Sequence, residues 1–209
     1  GRLRTGDALP ALQEMTADTK VEVLVVVAEA LGHTPGAEQV IRDLLELSPV
    51  PHGLAEQRAQ EEGLRVQLLR ALGRQGSDED VALLVKAVAE PWPTGAAAAE
   101  ALGRMARREL SGLEAAIPVL VKGTARPDPR LKTMASYGLA RIGMEGASED
   151  DLGKIAELAR TSPRAVQRAW LVKASFKALN EAERTKTFSR LMKDQSRLVR
   201  VSVLDQLQV

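Results

Sequence analysis

The apolar and charged positions of this sequence recur at a regular interval. Apolar residues at i, i+3 and i+4, followed directly by a charged residue, occur six times, and in the weakest copy Gln13 takes the third apolar position. Because i, i+3 and i+4 share one face of an α-helix, each copy predicts a helix with one buried stripe. We call these helices the second helices. Their charged members lie 32, 40, 36, 35 and 36 residues apart and are Glu14, Glu46, Lys86, Lys122, Glu157 and Lys193.

A second pattern follows each of these motifs after about twenty residues. It is anchored on a leucine that usually has Ala or Gly before it, with mostly apolar or small residues four and eight positions earlier. This spacing again predicts one face of a helix, and small residues on that face let a neighbouring helix approach closely. We call these helices the first helices. Their anchors are Leu31, Leu72, Leu102, Leu139, Leu179 and Leu207.

Turn and capping residues between the two patterns predict where the helices begin and end. Ser77 and Ser148 each precede a run of acidic residues, which predicts helix N-termini. The charged segment AEQRAQEEG in the stretch 49–62 predicts that the next first helix is extended into solvent. Glycines fall where first helices are predicted to end, at Gly32, Gly73, Gly76 and Gly143.

The segments 64–76 (LRVQLLRALGRQG) and 115–143 resemble HEAT repeats, particularly the short variety named after phycobilisome lyases. The resemblance implies an all-α fold, a right-handed α-solenoid of five to six HEAT-like helix pairs. It also implies that the second helices line the inner side of the curve. In the block 191–207, Asp194 and Arg200 match the loop acid and the first-helix arginine that support each other in such repeats.

Composition excludes several kinds of site. The chain has no cysteine, which removes disulfides, thiolate zinc sites and cysteine nucleophiles. Its two histidines, His33 and His52, lie beside predicted loops, and no glycine-rich phosphate loop follows a predicted strand. We therefore expect no catalytic residues, no metal site and no cofactor.

The net charge of +1 hides an uneven distribution. Residues 1–103 carry 9 basic and 16 acidic side chains, whereas residues 104–209 carry 20 basic and 12 acidic ones. The six charged motif residues follow the same trend, because the first two are acidic and three of the last four are basic. These six residues recur at one helical phase and would form a charged ridge, which we call the second-helix ridge. Two explanations stay open: the ridge is an ordinary solvated helix face, or it is an electrostatic docking surface for a partner protein.

These observations predict a non-catalytic HEAT-repeat scaffold that binds another protein through its second-helix face and its loops. The expected partner-binding residues are the charged members of the six motifs. We expect one repeat domain over 1–209, as a fragment of a longer protein, in the cytoplasm. No apolar run is long enough to span a membrane. The abundance of Ala, Arg, Leu and Gly suggests a bacterial source.

Three alternatives stay open at this stage. The basic C-terminal half could bind the backbone of a nucleic acid, as HEAT-like DNA glycosylases do, although an aromatic-poor chain offers little for base stacking. The name of the repeat alone suggests a bilin lyase-like activity. The last helix could mediate self-association through Val199, Val203 and Leu207. The basic residues that the nucleic-acid hypothesis uses are Arg126, Arg130, Lys154, Arg160, Arg164 and Arg168.

Overall fold

The computed structural model describes residues 8–18, 20–48, 55–176 and 178–207. Over these residues the chain forms α-helices and two short 3₁₀ turns (Asp78–Asp80 and Leu113–Ala116), with no strand. The helices are α1 (Ala8–Met15), α2 (Val21–Leu31), α3 (Glu38–Leu47), α4 (Ala55–Gln75), α5 (Val81–Val88), α6 (Thr94–Ala106), α7 (Ile117–Ala125), α8 (Pro129–Ile142), α9 (Glu149–Thr161), α10 (Ala165–Ser175), α11 (Glu181–Leu191) and α12 (Arg197–Leu207).

The twelve helices in the described ranges form six antiparallel pairs stacked side by side. Odd-numbered helices are the predicted second helices, and even-numbered helices are the predicted first helices. Each helix packs on its pair partner, and each first helix packs on the first helices before and after it. The fold is therefore an α-solenoid, which confirms the prediction of five to six helix pairs.

Side-chain caps begin several helices where the sequence predicts them. The Ser148 hydroxyl accepts a hydrogen bond from the backbone N–H of Asp151 at 3.2 Å, at the start of α9. Asn180 caps α11 in the same way, accepting from Glu183 N–H at 2.9 Å. At Ser77 the roles are reversed, because the Asp80 carboxylate accepts from the Ser77 N–H at 2.7 Å. These bonds satisfy backbone donors that have no partner within the helix.

The two layers differ in how closely their helices approach. Along the row α2, α4, α6, α8, α10 and α12, neighbouring backbones lie close together over most of their length, whereas adjacent second helices meet at only a few positions. Glycine makes two of the close approaches possible. A Cβ on Gly73 would lie 2.6 Å from Ala101 Cα, and a Cβ on Gly103 would lie 2.5 Å from Tyr137 Cε1.

The difference in helix spacing between the two layers determines the direction in which the solenoid curves. A stack of helix pairs bends toward the layer whose helices are closer together, since each pair is rotated slightly relative to the last. The first helices therefore lie on the inner side of the curve and the second helices on the outer side. This corrects the expectation that the second helices form the concave face.

One continuous aliphatic core lies between the layers. The anchors Leu31, Leu72, Leu102 and Leu139 are fully buried and contact leucines and isoleucines of the second helices. Ion pairs connect neighbouring parts of the stack at its edges: Arg42 with Asp80 at 2.7 Å, Arg65 with Glu90 at 2.6 Å, and Arg168 with Asp194 at 2.8 Å.

Four local predictions need correction. Gly73 lies inside α4, where it allows contact with α6 and does not end the helix. Helix α10 ends at Ser175, so Leu179 lies beyond it. The Asp194 carboxylate binds Arg168, while Arg200 donates to the Asp194 backbone carbonyl at 2.7 Å. In α12, Val199 and Val203 are buried, because they face α10 and the core.

Candidate binding surface on the first-helix layer

The inner side of the solenoid carries most of the aromatic side chains of this aromatic-poor protein. Trp92 lies just before α6, Tyr137 is on α8 and Trp170 is on α10. The chain contains two Trp, one Tyr and two Phe. Every Trp and Tyr is therefore on one surface. We call the exposed side of α4, α6, α8 and α10, together with Trp92, the inner groove.

Cationic side chains pack over these rings. Tyr137 and Trp170 meet edge to face with ring centroids 5.2 Å apart. The Arg141 guanidinium carbon lies 5.5 Å from the Tyr137 centroid and 5.6 Å from that of Trp170. Arg130 lies 5.3 Å from the Trp92 centroid. Such cation–π contacts are attractive and favour this arrangement of rings and guanidinium groups.

Two open pockets form the central part of the groove, and both are lined by Glu100. The first, of about 360 Å³, lies between Trp92, Met134 and Arg130. The second, of about 520 Å³, is lined by Arg74, Arg104, Arg107 and Arg108, with Tyr137 at its side. Glu100 accepts hydrogen bonds from Arg70 at 3.2 Å and from Arg104 at 2.6 Å. Its charge is thereby neutralised, and the groove keeps an excess of arginine.

The positions of these residues follow from the repeat. On α4, α6 and α8, the groove residues lie two positions before and two positions after the anchor leucine: Arg70 and Arg74, Glu100 and Arg104, Tyr137 and Arg141. On α10 the buried residues Gln167, Leu171 and Ser175 repeat the spacing of the other first helices, so Ser175 takes the place of the anchor and Lys173 lies two positions before it. Trp170 lies five positions before Ser175, with Lys173 beside its ring. Residues two before and two after a buried position project together from one side of a helix.

The sequence contained this signal, but the prediction did not use it. Small residues next to the anchors were interpreted only as packing residues. In the structure Trp170 packs on Tyr137 of α8. The choice of Leu179 as the anchor on α10 placed the pattern one helical turn too late, because the helix ends at Ser175.

The six predicted partner-binding residues lie on the opposite side of the molecule. All are exposed, on α1, α3, α5, α7 and α9 and in the turn after α11. Because the second helices are farther apart than the first helices, these side chains are spread over a broad surface. Glu157 is also paired with Arg160 at 2.7 Å, which holds the pKa of its carboxyl below the ordinary value. Their role in binding stays a prediction.

Several basic residues of the C-terminal half already have partners. Arg168 binds Asp194, Lys154 binds Asp150, and Arg160 binds Glu157. Arg126 and Arg164 lie near backbone carbonyls of Ala89 and Pro129, at 3.4 and 3.3 Å. Of that set, Arg130 and Arg164 line the first groove pocket, and Arg130 has the Trp92 ring beneath it. Arg160 and Arg168 line a different pocket, so the residues proposed for a nucleic-acid backbone are divided between separate surfaces.

Two other features of the described ranges are relevant to the predicted function. No cluster of three or more His, Asp or Glu side chains there has a metal-binding arrangement. None of the helices combines the length and the apolar character that crossing a membrane requires. His33 is exposed, and His52 lies outside the described residues.

Comparisons with known proteins support the architecture. No family model matches the sequence, and no curated protein matches it. Solved structures do match over nearly the whole chain. An engineered protein of the Northeast Structural Genomics Consortium has a TM-score of 0.63 at 16% sequence identity, covering 96% of this chain and 97% of that one.

Two designed armadillo repeat proteins give similar values. One, in complex with the peptide (KR)4, has a TM-score of 0.59 at 15% identity and covers 96% of this chain and 98% of that chain. The other, computationally designed for modular peptide recognition, has a TM-score of 0.58 at 14% identity with the same coverage. The chain has the fold of a helical repeat protein. At these identities the likeness shows the fold alone, and the phycobilisome lyase type of HEAT-like repeat is not confirmed.

Proposed function

We propose that this protein is a non-catalytic, HEAT-like repeat scaffold that holds a segment of another protein in the inner groove. One observation carries the proposal: both Trp residues and the one Tyr lie on the closely spaced layer, and each has a cationic side chain over its ring. Trp, Tyr and Arg contribute most of the binding energy in protein interfaces. Trp92 is exposed, and Tyr137 and Trp170 are half-buried, so each ring keeps part of its surface open to solvent.

The geometry of the layer adds a second argument. Adjacent first helices are about 9 Å apart, as in other packed helices. The groove from α4 to α10 thus spans about 30 Å, which corresponds to about nine residues of extended polypeptide. A segment of that length can contact all four helices.

The second-helix ridge is the competing surface on the same scaffold. It has exposed charge but no aromatic residue among its six members, so it offers electrostatic attraction without a buried anchor. Both surfaces can be compared in one experiment, because each can be changed without touching the core.

The test is selection of twelve-residue peptides from a random display library on the immobilised protein. We expect the selected peptides to change the intrinsic fluorescence of Trp92 and Trp170, since both lie in the groove. The affinity for the selected peptides should fall at least about tenfold in the double variant that carries Trp92→Ala and Arg141→Gln. It should persist in the triple reversal Lys86→Glu, Lys122→Glu and Lys193→Glu.

Far-UV circular dichroism and thermal unfolding must show that both variants are folded. If the triple reversal abolishes peptide binding and the groove variant retains it, the ridge is the binding surface. If no peptide is enriched and oligonucleotides alone bind, the protein-binding proposal is wrong.

A further inference from the structure

The second groove pocket contains cationic groups that the folded protein leaves without anionic partners. Arg107 is exposed, and within the described parts of the chain its side chain makes no ion pair or hydrogen bond. Arg141 lies outside this pocket, over the rings of Tyr137 and Trp170, and its side chain likewise makes no ion pair or hydrogen bond within the described residues. Glu100 is the one carboxylate that lines the pocket, and Arg70 and Arg104 already bind it.

Arg74 is the most unusual member of the pocket. Its Nη1 atom is buried and has no hydrogen-bond partner among the described residues. Burial and the nearby charge of Arg104 lower the pKa of this guanidinium. An unsatisfied buried donor costs free energy, and so does repulsion between like charges. Nη1 faces Gly32 at the end of α2, so the part of this cost that an anion in the pocket would reduce is the repulsion between Arg74 and Arg104.

These observations point to the charge of the ligand, and this inference rests on the function proposed above. We propose that the inner groove binds an acidic peptide segment, with an oxyanion of the peptide held between Arg74, Arg104 and Arg107. The oxyanion is a side-chain carboxylate or the phosphate of a phosphorylated residue. Arginine clusters recognise both groups through charge-assisted hydrogen bonds. Tyr137 lines the same pocket.

The state of the aromatic rings favours a peptide over a nucleic acid. Binding of single-stranded nucleic acid needs open ring faces on which bases can stack. Here Tyr137 and Trp170 pack edge to face, and Arg141 lies over both. Lys173 lies 5.8 Å from the Trp170 centroid, and Arg130 lies over Trp92. The ring faces are therefore covered by arginine and lysine side chains, which can bind oxyanions. Bases could stack on the rings only after these side chains had been displaced.

The experiment measures fluorescence anisotropy with four labelled probes. The acidic probe is a twelve-residue peptide that alternates Glu and Ser, and the basic probe replaces Glu by Lys. The third probe has one phosphoserine among Gly and Ser, and the fourth is a twelve-nucleotide oligo-dT. We expect the acidic or the phosphorylated peptide to bind most tightly, with affinity that falls as salt is raised. The tighter of the two identifies the source of the oxyanion.

Variants with matched charge test the location. Arg74→Gln with Arg107→Gln should weaken binding of the acidic probes by at least about tenfold, as expected for lost charge-assisted hydrogen bonds. Lys86→Gln with Lys122→Gln removes the same charge from the outer layer and should change the affinity less than about twofold. Because Arg74 is partly buried, Arg107→Gln with Arg141→Gln provides a second groove variant made only at exposed positions.

The results separate this inference from the function on which it rests. The acidic-peptide proposal would be overturned if the Lys peptide bound as tightly as the acidic peptide or more tightly. It would also be overturned if the groove variants and the outer-layer control lost the same affinity for the acidic probes. Tighter binding of oligo-dT than of either anionic peptide would also overturn it. If library selection yields neutral or basic peptides that still need Trp92, the groove remains a peptide-binding surface and only the proposed charge of the ligand is wrong.

Discussion

The close packing of α4 on α6 can be tested by adding one methyl group at two positions of the same helix. Gly63 and Gly73 both lie inside α4. A Cβ on Gly63 would meet nothing within 4 Å, whereas a Cβ on Gly73 would lie 2.6 Å from Ala101 Cα and 2.7 Å from Ala101 Cβ. The substitutions Gly63→Ala and Gly73→Ala are chemically identical, so their difference isolates the contact between the helices.

The magnitudes follow from two opposing effects. Replacing Gly by Ala in a helix interior stabilises it by about 1 kcal/mol, mainly because the unfolded chain loses freedom. At Gly73 the new methyl group needs about 1 Å more space, since carbon atoms in contact are about 3.5 to 4.0 Å apart. The nearest atoms at that position include backbone, so α4 and α6 must separate, and overpacking of this kind costs about 1 to 3 kcal/mol.

We therefore expect Gly63→Ala to be more stable than the parent protein and Gly73→Ala to be less stable. The variants should differ by the overpacking cost of about 1 to 3 kcal/mol, which corresponds to a difference in melting temperature of roughly 2 to 12 °C for a chain of this size. Thermal and urea unfolding followed by far-UV circular dichroism measure the difference. If Gly73→Ala is as stable as Gly63→Ala, the two first helices are not in close contact there, and the argument for curvature toward the first-helix layer loses its basis.

Two further predictions concern interactions at the ends of helices. The hydrogen bonds from Arg168 lower the pKa of the Asp194 carboxyl, so this ion pair stabilises the fold above the ordinary aspartate pKa and is lost as pH falls through the depressed value. Asp194→Asn should cost about 1 to 3 kcal/mol at pH 7, and urea unfolding should show this difference shrink between about pH 5 and pH 2. A difference that does not depend on pH would contradict the assignment. Asn180→Ala removes the cap of α11 and should cost about 1 kcal/mol in the same assay, while Asn180→Ser should restore most of it.

The helices and their order could be predicted because each depends on local spacing. Apolar residues at i, i+3 and i+4 identify a buried stripe whatever the helix packs against, and the cap at Ser148 acts within its own first turn. The anchor leucines were right on α4, α6 and α8 for the same reason. On α10 the pattern fits both Ser175 and Leu179, and tertiary contacts decide that Ser175 is buried in the helix while Leu179 lies beyond its end.

Pairing between distant residues was harder to predict. Asp194 and Arg200 are close in sequence, and they do interact, but through the backbone carbonyl of Asp194. The carboxylate instead binds Arg168, which comes from the preceding first helix and is 14% exposed in its side chain. Periodicity identifies the face on which a side chain lies but not which neighbour of opposite charge reaches it.

The error in the concave face has a physical cause that also changes the candidate site. Small residues on the first helices predict close helix contacts, and close contact in one layer also affects the spacing of the other layer. When one layer is drawn together by Gly73 and Gly103, the second helices must spread apart, and the stack bends toward the first helices. Side chains two positions before and after the anchors then converge into a groove, while the charged motif residues move away from one another. The same glycines that allow the close packing therefore also decide which polar side chains are brought close enough to act together on one ligand.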